Sequence, residues 1–257
     1  MSKRVRSAPE ASEVQMGERA KRVRSAPEAS EVQMGERMYP GNSRDERTGF
    51  APYSAFDIPA DLRELHGRYD VEATARRVRN FRYAEEWMMM ILGGWVATVP
   101  EVPVKTGLGK IIWETAKAAD EFGKRLPELR CGRKGLTRSE AGNDGFAAFI
   151  QEVAAPERPD QTIEKLVGIF DVLKPHLVEL YQTHMRETDQ ISDAPTIDIL
   201  DEIVRKANTH VAWGREVLAK LCDTDEARAR RRERAEALRR RLIDCGGATG
   251  ELEPGQD

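Results

Sequence analysis

Two glutamates, Glu85 and Glu114, a lysine, Lys117, and two histidines, His184 and His210, fall in or beside apolar stripes of helical spacing. A carboxylate in such a stripe is costly unless it is paired or bound to metal. Di-metal sites in helical bundles take a Glu from each of two helices and a Glu-x-x-His pair from each of the others. Two dications need several anionic oxygens, with imidazoles completing the shells. Here Glu114 is followed by Lys117 and Ala118, and His210 is preceded by Ala207, so neither helix carries a complete Glu-x-x-His. If a metal is bound, iron or manganese, its expected ligands are Glu85, Glu114 and His210, too few for an ordinary di-iron site. Glu179 and Asp171 lie off the stripe. His184 is set roughly 20 Å along the bundle from His210, at 1.5 Å per residue, and cannot share a centre with it. A hairpin turning near Glu101 sets Glu85 level with Lys117. An ammonium then stands where a dication would sit, and Glu85, Glu114 and Lys117 become the expected catalytic residues of a metal-free site.

These residues need helices to position them. Between Phe56 and Asp244 apolar residues recur at three and four, with no convincing strand. The first helix follows Asp70, an N-cap residue, with a stripe of Val71, Ala75, Val78, Phe81, Glu85, Met88, Leu92 and Trp95, and stops before Pro100. The short PEVP connection makes the second helix, Val104 to Leu126, its antiparallel neighbour. A long connection over 127–160 holds a short helix near Phe146–Val153. The third helix runs from Ile163 to His184 and is kinked by Pro175. The fourth opens near Pro195 and carries Ile197 to Leu218. Two hairpins joined by a long crossover define an all-α, ferritin-like four-helix bundle. A last helix near Asp225–Ile243 holds eight arginines with acids interspersed and no aromatics, which reads as a solvated helix.

The expected domains are a disordered tail over 1–54, the bundle over 55–222, the Arg-rich helix over 223–244 and a disordered tail over 245–257. Residues 3–19 recur unchanged at 21–37, and the repeat is polar and free of aromatics. Of 257 residues, 33% are charged and 40% hydrophobic, which excludes a multi-span membrane protein and a wholly disordered chain. The most apolar run, Trp87–Val99, is too short to span a bilayer, which needs about 20 residues. A net charge of −3 carries no global nucleic-acid signal. Three scattered cysteines and the lack of a secretory signal point to a reducing, cytoplasmic compartment. Gly93-Gly94 reads as a close helix approach, Met88–Met90 as core, and His66 and His176 as surface histidines.

The segment Tyr83–Arg130, YAEEWMMMILGGWVATVPEVPVKTGLGKIIWETAKAADEFGKRLPELR, resembles a family of bacterial ferritin-like proteins, most of them uncharacterised. The resemblance covers roughly Phe81–Leu221 and rests on W-x-x-x-x-P-E, K-x-x-L-G, R-L-P-E-L-R and A-W-G. The chain keeps Glu85, Trp113, Glu114, His184, His210 and Ala212-Trp213-Gly214. It departs at Ala118, where the family pattern has His, and at Lys206-Ala207-Asn208-Thr209, where it has acids. The resemblance implies the fold and a degenerate metal centre, and it supplies no substrate.

Three function classes are open. The leading one is a metal-poor binding or accessory protein without cofactor, acting on a small molecule or protein partner, with small-molecule biosynthesis as its expected setting. The others are a divergent iron or manganese oxidase or oxygenase, and a metal-free acid–base enzyme using Glu85 or Glu114 with a burial-raised pKa. No membrane or nucleic-acid partner is expected. Aromatic helix faces at Trp87 and Trp95 are compatible with a homodimer.

Overall fold

The computed structural model describes residues 67–131 and 142–251, and every regular element among them is helical. The repeat-bearing segment expected over 1–54 lies outside the described residues, as does His66. Helix α1 spans Val71–Thr98 and is capped by Asp70, whose carboxylate accepts from Ala73 N–H at 2.7 Å. It ends at the Val99-Pro100 pair. Helix α2, Val102–Glu128, starts after only three residues and runs back along α1. Phe81 packs on Phe122 with centroids 5.8 Å apart.

After α3 (Asp144–Ala154) comes one long rod in three parts: α4 (Thr162–Leu166), a π-helical stretch (Val167–Leu173) and α5 (Lys174–Glu187). In an α-helix Pro175 would clash with the carbonyl of residue 171 and leave it without its N–H. The chain instead widens just before it, and Lys174 N–H bonds Ile169 O, five residues back. The kink expected at Pro175 is thus a π turn. Helix α6, Ala194–Leu221, returns along α5 and also meets α2. The four long rods share one core, with Phe81, Met88, Leu108, Phe122, Phe170 and Tyr181 fully buried.

Glycine positions divide sharply. A Cβ on Gly214 would sit 2.3 Å from Phe170 Cβ, so the A-W-G glycine is where α6 meets the π turn. Gly93 and Gly94, expected at a close helix approach, are exposed and have nothing within 4 Å of an added Cβ. Gly93→Ala is expected to raise stability by about 0.5–1 kcal/mol through helix propensity. Gly214→Ala is expected to lower it by about 1–3 kcal/mol through overpacking. Urea unfolding of the two variants checks both signs.

Helix α7, Asp225–Asp244, is not simply solvated. Arg230 forks onto Glu164, Arg231 onto Asp171, and Arg241 reaches Glu152, clasping α4, the π turn and α3. Fork-to-fork pairing of this kind is the strong form of the arginine–carboxylate bond. The tail expected to be disordered from 245 continues as turns through Gly250. Gly246 and Gly247 adopt positive φ, which favours glycine. Ala248 is fully buried and its N–H donates to His176 Nε2 at 3.1 Å. His176, expected at the surface, is therefore buried. Trp95 is also in the core, so the exposed aromatic of the first hairpin is Trp113. Among the described residues, no helix is long and apolar enough to cross a membrane.

Candidate functional site

Between α1, α2, α5 and α6 lies a cavity of about 190 Å³ lined by Glu85, Glu114, Thr115, Lys174, Ala207 and His210. Glu85, Glu114, Lys117 and His210, predicted from sequence, all border it. At its mouth stand Lys117, Glu121, Asp198, Glu202 and Lys206.

Glu85 is 1% exposed, held by the apolar stripe of α1. Tyr181 O–H donates to its Oε1 at 3.0 Å. Its other oxygen lies 3.8 Å from the ammonium of Lys174, which is 2% exposed. The pairing of Glu85 with Lys117 is therefore overturned. Phe81 opposite Phe122 fixes a register in which Glu85, one turn on, faces Ala118. Lys117 turns outward, 46% exposed, and sits 3.6 Å from Glu202. The buried cation is Lys174, which sequence reasoning missed. A signal for it exists: Lys174 is four residues after Phe170 and three before Leu177, and Pro175 follows it. Burial holds its ammonium below the usual lysine range, and the Glu85 and Glu114 carboxylates offset part of that. The Tyr181 phenol is pushed well above its ordinary value, by burial first and then by the Glu85 carboxylate.

His210 and Glu114 form a second pair, with Nε2 and Oε2 2.5 Å apart. Burial, reinforced by the Lys174 charge, drives His210 down to about 4, against the pull of Glu114. The imidazole is thus neutral near pH 7, with Nε2–H donating to the carboxylate and Nδ1 bare. Burial pushes Glu114 up, but the His210 hydrogen bond and nearby positive charge outweigh it, and the net shift is downward. The expectation of a burial-raised Glu114 is overturned on that ground.

Among the described residues, three buried polar atoms on the lining of this cavity have no hydrogen-bond partner: Glu85 Oε2, Thr115 Oγ1 and His210 Nδ1. Apart from its 3.8 Å ion pair with Glu85, Lys174 Nζ has among the described residues one hydrogen bond, to the Met88 thioether at 3.6 Å. Each unmet buried polar group costs about 1–3 kcal/mol, and clustered exceptions call for an explanation. The set offers an acceptor oxygen, an acceptor nitrogen, a hydroxyl and an ammonium, which suits a polar organic guest.

The fit to a metal is poor. Among the described residues no group of three or more His, Cys, Asp or Glu is placed to hold a metal ion. Glu85 is engaged by Tyr181 and Lys174, and an ammonium beside a dication would repel it. The residues considered as extra ligands are engaged or exposed: Asp171 is paired with Arg231, and Glu179 points to solvent. His184 belongs elsewhere, with Arg77 Nε donating to its Nδ1 at 3.1 Å and its Nε2 3.0 Å from Asp193.

The fold and site thus define an all-helical protein with a buried Glu–Lys–Tyr cluster and a Glu–His pair around one interhelical cavity. Comparison with protein-family models, with curated proteins and with solved structures finds no match to this chain.

Proposed function

We propose that the chain is a ferritin-like bundle that holds no metal and binds a small polar organic molecule in the cavity between its four long helices. It acts as a cytoplasmic binding or accessory protein, in keeping with a role in small-molecule biosynthesis. The observation that carries this reading is the pair of buried atoms on Thr115 and His210 without a hydrogen bond among the described residues, beside a Glu85 oxygen held only by the 3.8 Å ion pair with Lys174, around one cavity. A guest that meets them supplies hydrogen bonds that no neighbouring side chain provides.

Native mass spectrometry tests it on protein purified with and without added ferrous iron, beside Thr115→Val and Glu114→Ala. A small organic adduct in wild type, weakened in Thr115→Val, and no stoichiometric metal is the expected result. Thr115→Val should also stabilise the free chain by about 1 kcal/mol, since it removes an unsatisfied hydroxyl. Stoichiometric iron or manganese, lost in Glu114→Ala, overturns the proposal in favour of a metal-dependent oxidase. Bare protein in every sample overturns it as well.

A second reading is favoured by one feature. Glu114 orients His210 and leaves Nδ1 unprotonated and able to accept a proton, as a weak base given its value of about 4. In that reading the site is a metal-free acid–base catalyst, with Lys174 as its second proton-carrying group in place of Lys117.

A further inference from the structure

At the other end of α1 lies a separate cavity of about 400 Å³, lined by Arg76, Arg77, Arg79, Asn80, Thr249 and Glu251, among others. Arg77 is 3% exposed, an unusual place for a guanidinium. Its plane lies against the Tyr69 ring, 4.3 Å from the centroid. Nε is spent on His184, and Nη1 meets the carboxylate of Glu251. Nη2 is buried and has no hydrogen-bond partner among the described residues.

Glu251 is a half-exposed residue at the end of a turn-built segment, and it engages only one arm of the fork. A guanidinium binds a carboxylate or phosphate best through two parallel N–H···O bonds. Arg76 and Arg79 flank it on the exposed side of α1, so the described residues that line the cavity carry three guanidinium groups and one carboxylate.

We infer that the Arg76–Arg77–Arg79 cavity is a binding site for a small oxyanion, which takes both arms of the Arg77 fork and displaces the Glu251 carboxylate. The site is distinct from the interhelical cavity and does not depend on how that cavity is used. Glu251 acts as an internal competitor, so occupancy of the site and docking of the 248–251 segment are mutually exclusive.

Calorimetric titration of the full chain with inorganic phosphate, and separately with acetate, against chloride at equal ionic strength tests this. Saturable binding of either oxyanion, absent with chloride, is expected, and the two arms separate phosphate-bearing from carboxylate ligands. Glu251→Gln should bind about 2- to 5-fold more tightly, because the competitor it removes is a partly exposed ion pair. Arg76→Ala/Arg79→Ala, both at exposed positions, should bind at least several-fold more weakly. Hydrogen exchange at residues 248–251 should speed up on saturation. Arg77→Lys should abolish binding. Because Arg77 also supports His184, the Glu251 and Arg76/Arg79 variants decide the outcome if Arg77→Lys does not fold. No response above chloride in wild type and Glu251→Gln overturns the inference. Binding unchanged in both the Glu251 and the Arg76/Arg79 variants overturns it too.

Discussion

Lys174→Met is expected to destabilise the chain by about 3–5 kcal/mol, because it leaves the Glu85 carboxylate buried without its cation. For a chain of this size that is a fall of about 6–20 °C in Tm. Methionine matches the length of the lysine stem, so the loss reports charge rather than volume. The double variant Glu85→Gln/Lys174→Met should recover most of the stability. Glutamine still accepts from Tyr181, and replacing both partners of a buried pair is often close to neutral. Lys117→Met serves as the contrast. Its half-exposed pairing with Glu202 is worth about 0–1 kcal/mol, so little change is expected. Urea unfolding of the four proteins decides the matter. If Lys174→Met stays within about 1 kcal/mol of wild type, Lys174 is not the counter-ion of Glu85.

Acidification should be the second large effect. His176 and His210 are both driven down to about 4 from an ordinary 6.5, His176 by burial and His210 by burial together with Lys174. Their folded-state values lie below the unfolded ones. Between about pH 6.5 and pH 4 the unfolded chain therefore binds protons that the folded chain refuses, and stability falls as pH falls. By pH 5 the loss is about 2 kcal/mol per histidine, and near pH 4 about 3 kcal/mol each. Set against a typical net stability of about 5–15 kcal/mol, this is a large share. Asp193 adds a separate loss at lower pH. Burial raises it, but bonds from His184, Thr196, Thr188 and Arg125 outweigh that, and its contribution fades as pH falls below its ordinary 3.8. Urea midpoints at pH 7.5 and pH 5 should differ strongly in wild type and less in His176→Gln and in His210→Gln. Equal pH slopes in all three proteins would show that neither histidine is held neutral by the fold.

The helices and their ends are legible in the sequence because their signals are local. Asp70 caps, Pro100 stops, and Pro195 starts, each through its own backbone chemistry. The residues of the cavity are half legible. Glu85, Glu114 and His210 stand out as polar groups on apolar faces of regular helices, and the structure brings them to one cavity. Lys174 and His176 are only weakly marked: each sits at helical spacing from stripe residues, Lys174 from Phe170 and Leu177 and His176 from Leu173 and Leu180, but on opposite edges of the stripe, where a polar residue is ordinarily solvated. The π turn over Val167–Leu173 breaks the helical period and turns both residues inward. For Lys117 the difference is a single residue of hairpin register, which is enough to exchange an inward for an outward side chain. The Gly-rich segment after Asp244 has a composition common in disordered tails. Its order comes from tertiary bonds, Asn143 to the Cys245 and Gly247 carbonyls and Ala248 to His176, that no local pattern announces.

The wide turn ahead of Pro175 has a mechanical consequence. One residue advances a helix by roughly 100°, so a stretch with an extra residue acts as a phase shifter between two straight shafts. The face that α4 and the turn present to the arginine clasp of α7 and the face that α5 presents to Glu85 are set independently. Removing a single residue from this stretch would leave both shafts helical while rotating one against the other. The clasp and the cavity could then no longer be satisfied together, although every residue that builds them would still be present.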